Sequence, residues 1–79
     1  MIAASQIRAG RALLGLTSRQ LADRSGVSWA TIKRFEDAEG VPNSKRGTLE
    51  RLKNYLEESG VELLGDPIES PGVRLRRKI

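Results

Sequence analysis

TSRQLADRSGVSWATIKRFE, residues 17–36, reads as two short helices joined by a tight turn. Thr17 is a good N-cap, and Gln20 three residues on completes a capping box. Leu21 and Ala22 face inward, and Ala22 is small where a second helix must come close. Ser25-Gly26-Val27 is the turn. Gly26 ends the first helix by taking a left-handed backbone that costs glycine nothing. Ser28 caps the second helix, along which Ile32 and Phe35 share one face. At about 100° per residue, Ala30, Lys33 and Arg34 fall on the far face, with Trp29 on its flank.

A small residue, a turn glycine and apolar residues at fixed offsets are the logic of a helix-turn-helix, whose second helix enters the DNA major groove. Upstream, residues 3–14 form a first helix with Ile7, Gly10, Leu13 and Leu14 as its inward stripe, ended by Gly15. Helices two and three cover 18–25 and 28–37. Residues 39–47 (EGVPNSKRG) are a loop, marked by glycine, proline and polar residues. Thr48 caps a fourth helix over 48–59, with Glu50 near its positive end and Leu49, Leu52 and Leu56 at helical spacing. Beyond Gly60 the pattern changes. Val61-Glu62-Leu63-Leu64 and Val73-Arg74-Leu75-Arg76 read as strands around a turn-rich connection, giving an antiparallel ribbon over 61–76. A lone ribbon is marginal in water, so it must pack on the helices or on another chain. The expected fold is mainly α: four helices and a short C-terminal β-ribbon in a single domain, 1–79.

The bulk composition removes many function classes. Seventy-nine residues support a modest core. There is no cysteine and no histidine, so disulfides, thiolate sites and the commonest general base and metal ligand are missing. Nucleophile–base pairs, metal-ligand clusters and phosphate-cradling glycine loops are absent from the sequence, so no enzyme, metal or cofactor is expected. The net charge of +4 suits a polyanionic partner. Nothing resembles a signal peptide or a membrane span, and a cytoplasmic protein is the default expectation.

RALLGLTSRQLADRSGVSWATIKRFE, with TLERLKNYLEESGVELL behind it, resembles the Cro/repressor-type (XRE) helix-turn-helix regulators of bacteria and phages. The combination of Leu21, Ala22, Gly26, Val27, Ile32 and Phe35 carries the resemblance, which covers roughly three quarters of the chain. It implies a lambda-repressor-like domain that binds operator DNA, often as a dimer. It also implies a buried ion pair between Arg11 and Glu36, linking helix one to the recognition helix. The chain departs from the family at its C-terminus, where a ribbon replaces a fifth helix. It departs again at Trp29, where such regulators more often carry a polar or basic residue.

Lys33 and Arg34 are the best DNA contacts on the recognition helix. Arg34 can pair with a guanine edge or hold phosphate only; the plainer reading of both is solvated charge. Ala30 is small enough to let the helix approach bases, and Ser28 can reach a phosphate besides capping its own helix. Trp29 either touches a thymine methyl or sugar, or folds partly over helix two or a partner. In relatives the positions matching Ser18, Arg19 and Gln20, at helix two's positive end, meet phosphate, and the resemblance implies that Ser18 and Gln20 can do so here. Lys45 and Arg46, leading into helix four, form a plausible phosphate clamp. Asp37 and Glu39 argue that the end of helix three points away from DNA. Arg74, Arg76, Arg77 and Lys78 are either a DNA-binding tail or charged guards of a strand edge.

These readings converge on a sequence-specific DNA-binding regulator, a repressor or autoregulator that occludes a promoter as a homodimer. Val61, Leu63, Val73 and Leu75 offer the ribbon face expected to hold two copies together; the alternative is that this face covers helix four. A rival function is an antitoxin whose ribbon and tail bind a toxin protein. Another is a helix-turn-helix kept only for protein interaction.

Overall fold

The computed structural model describes residues 1–45 and 47–76. Among these, α1 (Ala4–Leu13), α2 (Ser18–Ser25), α3 (Trp29–Asp37) and α4 (Thr48–Glu58) precede β1 (Val61–Leu64) and β2 (Gly72–Leu75). Arg46, Arg77 and Lys78 lie outside the described residues.

Local chemistry sets the helix ends. Thr17 accepts the Gln20 N–H while the Gln20 side chain accepts the Thr17 N–H at 2.9 Å, so two orphan donors are satisfied reciprocally. Gly26 takes φ 75° and closes α2. Two residues later Ser28 caps α3 by accepting the Thr31 N–H. The turn between α2 and α3 is therefore fixed by one positive-φ glycine and one serine.

Leu21, Ala22 and Val27 from this motif meet Ile32 and Phe35 from α3, Ile2 and Ile7 from the N-terminal region, Leu52 and Leu56 from α4, and Val61 from β1. Each large side chain so buried contributes about 1.5–3 kcal/mol of transfer free energy. Gly10 belongs to this packing: a Cβ there would lie 3.2 Å from Val61 Cγ1, so its absence lets α1 sit against the start of the ribbon.

Two sequence expectations are corrected. Leu13 is exposed, not inward. It stands roughly 90° around the helix from the line of Ile7, Gly10 and Leu14, and α1 ends before another element can cover it. Thr48 does not cap α4. Gly47 is the N-cap residue and Thr48 the first helical one. The Leu49 N–H is instead satisfied by Ser44 Oγ at 2.9 Å, and Thr48 donates its hydroxyl to the Lys45 carbonyl at 3.1 Å.

The ribbon pairs Val61 with Leu75 and Leu63 with Val73 on one face, and Glu62 with Arg74 on the other. Val61 is in the core, and Leu63, Val73 and Leu75 pack against it. The apolar face of the ribbon thus roofs the helices, with Val61 buried and Leu63, Val73 and Leu75 half-buried. On the outer face Glu62 contacts both Arg74 and Arg76. The hydrogen bond from Arg74 holds the Glu62 carboxyl below its ordinary pKa, and the same bond raises that of Arg74. In the connecting turn, the Glu69 and Ile68 backbone N–H groups lower the pKa of Asp66.

Gln6 attaches the roof. It is 3% exposed, its Oε1 accepts the Ala3 N–H, and its Nε2 donates to the carbonyls of Leu64 and Gly72 at 3.3 and 3.0 Å. One side chain thus closes the start of α1 and pins both strands at the turn end of the ribbon.

Candidate nucleic-acid interface

The inner face of α3 is anchored by Ile32, Phe35 and Glu36, all buried. Helical geometry then leaves Ala30 in the middle of the outer face, with Lys33 and Trp29 on one side and Arg34 on the other. All four are exposed. A residue as small as alanine between longer polar and aromatic ones leaves a shallow seat at the helix centre.

On the Arg34 side, α3 faces the loop that enters α4. Thr31, Arg34, Asn43, Ser44, Lys45 and Thr48 line one open groove. Arg34 Nη1 donates to the Asn43 carbonyl at 3.1 Å, and its guanidinium lies 5.0 Å from the Phe35 ring centroid. The loop backbone thus holds Arg34 beside Lys45, at the N-terminal end of α4, where helix geometry favours an anion. Arg46, the other half of the expected clamp, is outside the described residues.

On the Trp29 side, the indole N–H donates to Ser18 Oγ at 3.0 Å. The ring, 38% exposed, folds over the start of α2 and still presents an edge outward. Arg19 and Lys33 both sit near it. Gln20 spends its carbonyl oxygen on the cap and keeps its amide N–H₂ for other use. Ser28 accepts the Thr31 N–H and donates its hydroxyl to Thr31 Oγ1 at 2.8 Å, so its hydrogen is already engaged.

The cations on this surface have no ion-pair partner among the described residues. Among the described residues, ion pairs join Arg11 to Glu36, Lys53 to Glu50 and Glu57, and Arg74 and Arg76 to Glu62. None involves Arg19, Lys33, Arg34 or Lys45. At the end of α3 the chain turns back over α1: Arg8 donates to the Glu36 carbonyl, and the Ala4 N–H to the Gly40 carbonyl.

Arg11 and Glu36 form a two-pronged pair, Nε to Oε2 at 2.9 Å and Nη2 to Oε1 at 3.0 Å, with Arg11 Nη1 also donating to the Leu16 carbonyl. This parallel arrangement is the strongest geometry open to arginine and carboxylate. It locks α1 to the inner side of α3 and so fixes the direction in which the outer side points.

Sequence reasoning named Arg19 with Ser18 and Gln20 at the start of helix two but kept only the latter two as site residues, and it did not count Thr31 or Asn43 among them. Arg19 and Trp29 stand ten positions apart on different helices, and only the turn geometry brings them together. Thr31 and Asn43 enter through the groove that the folded loop makes with α3.

A short α2, a three-residue turn to α3 and an exposed outer face carrying Lys33 and Arg34 define a helix-turn-helix DNA-binding domain. The chain matches the family described as a helix-turn-helix domain over residues 3–64, and it belongs to that family. No curated protein matches the chain. Among the described residues, no helix is long and apolar enough to cross a membrane.

Proposed function

We propose that this chain is a sequence-specific transcriptional regulator of the Cro/repressor (XRE) type, which represses by occluding promoter DNA. The observation that carries the reading is the outer face of α3. Lys33 and Arg34 are exposed there without carboxylate partners among the described residues, and Arg34 shares its groove with a further cation, Lys45, beside the start of α4. In this reading Ala30 and Lys33 face the base edges, with Trp29 on their flank against α2. Arg34, tied to the loop backbone, works with Lys45 on the phosphates, and Ser18 and Gln20 meet phosphate at the start of α2. No cofactor or metal takes part.

Recovery of bound fragments from the organism's own genomic DNA, followed by footprinting, tests the reading directly. A discrete protected site is the expected result; absence of DNA binding at low salt would sink it. On that site Lys33→Ala should relax preference at one base position, at a cost of about 1–3 kcal/mol. Arg34→Ala should weaken binding to all sequences alike and lower the salt slope by about one. Loss of preference at a single base from Arg34→Ala would return it to the base-reading set. Purification with a tightly bound second protein encoded nearby would move the assignment to an antitoxin.

A further inference from the structure

Arg19 and Lys33, from two different helices, converge on one ring. The Arg19 guanidinium lies 4.1 Å from the Trp29 ring centroid, and Lys33 Nζ 5.4 Å from it. The indole N–H to Ser18 Oγ hydrogen bond fixes how the ring is turned. A guanidinium lying on an aromatic face keeps the donors along its edge free for a planar acceptor. Neither cation has an ion-pair partner among the described residues. Asp23, one turn along α2, lines the same groove as Arg19 and Trp29 but makes no ion pair with Arg19. Two cations gathered at one ring repel each other, and an anion beside both relieves that repulsion.

We propose that Trp29 is a positioning residue that holds Arg19 ready as a DNA-phosphate contact, on the α2 side of the recognition helix away from the Arg34–Lys45 groove. The proposal rests on the reading that the chain binds duplex DNA. A free arginine on an exposed helix loses rotamer freedom when it grips a phosphate. The stack on Trp29 removes much of that freedom beforehand. Trp29 therefore adds to affinity through Arg19, whatever base lies beneath the helix.

The test is a mutant cycle, read as affinity for a labelled random-sequence DNA duplex over a range of salt. Arg19→Ala is made in the wild type, in Trp29→Phe, which keeps an aromatic face, and in Trp29→Leu, which keeps apolar bulk only. In the wild type, Arg19→Ala should weaken binding and flatten the slope of log K against log salt by about one. In Trp29→Leu the fold-loss caused by Arg19→Ala should shrink by roughly two- to fivefold, with Trp29→Phe in between. Equal losses from Arg19→Ala in all three backgrounds would overturn the proposal, as would an unchanged salt slope in the wild type. If Trp29→Leu merely loosens the fold, all its affinities fall together and the Arg19→Ala ratio stays at the wild-type value, which also overturns it. Failure of the wild type itself to bind the duplex at low salt would remove the functional reading and this proposal together.

Discussion

Arg8 and Arg11 stand one turn apart on α1, and both reach Glu36, but in different ways. Arg11 meets the carboxylate with two parallel hydrogen bonds, and Arg8 meets only the backbone carbonyl. Removing Arg11 leaves a carboxylate whose side chain is 10% exposed without its cation. Breaking a buried pair from one side costs about 3–5 kcal/mol. The Arg11 side chain is itself 25% exposed, so water can enter and the cost belongs near the lower end, about 3 kcal/mol. Removing Arg8 loses one hydrogen bond at the protein surface, about 1 kcal/mol. For a domain of this size each kcal/mol is worth about 4–8 °C in Tm. Arg11→Ala should therefore melt about 8–16 °C below Arg8→Ala when both are followed by circular dichroism. Comparable small shifts in the two variants would show that the ion pair adds little. The choice of these two residues as partners came from the resemblance of the whole motif; no spacing rule applied to residues 25 positions apart would have found it.

At the scale of elements, the helices and the ribbon were legible for different reasons. Capping residues, the turn glycine and apolar spacing are local, and they placed α2 and α3 to within a residue or so. Alternation in residues 73–76 likewise pointed to β2. Packing of the ribbon on the helices was one of two readings open in the sequence, but its attachment through Gln6 was not legible, because the partners of Gln6 lie 58 and 66 positions away and are backbone carbonyls of any residue type. The same limit hid the Ser44 cap of α4, where loop geometry overrode the better-placed Thr48. It also hid the Arg19–Trp29 stack. Gln6 thus offers a test of how far the ribbon is an integral element. Gln6→Leu keeps the bulk but leaves the Ala3 N–H without its side-chain acceptor. It should cost about 1–3 kcal/mol, seen as a lower urea midpoint. Amide exchange should accelerate first at Leu64 and its neighbours in β1 and β2, while α2 and α3 keep their protection until global unfolding. Uniform acceleration through the whole domain would mean that ribbon and helices form one cooperative unit.

At the scale of the whole molecule, the question is how one recognition helix finds a site. Three or four side chains reach base edges from a single helix, so domains of this kind commonly pair half-sites about 34 Å apart. The molecule measures 34 × 30 × 19 Å. Two copies seated one helical turn apart on the same side of the duplex are therefore close enough to touch without any extended arm. Little of the ribbon's apolar face is left for that contact, since Val61 is buried and Leu63, Val73 and Leu75 are half-buried against the core. Among the described residues, the large apolar side chains left exposed are Met1, Leu13, Trp29, Leu64 and Ile68, drawn from the N-terminus, α1, α3 and the ribbon with its turn. That is little beside the broad apolar surface an obligate dimer buries. We therefore expect the free chain to be a monomer at micromolar concentration and to pair on its operator. Sedimentation velocity of the protein alone should give the monomer mass. Titration of the operator should give two copies per duplex, with a Hill coefficient above one. Inserting about five base pairs between the half-sites turns one copy to the opposite side of the duplex. The stoichiometry should then survive while the cooperativity disappears. A stable dimer in the absence of DNA, or cooperativity unchanged by the insertion, would show that a surface other than this side-by-side contact joins the two copies.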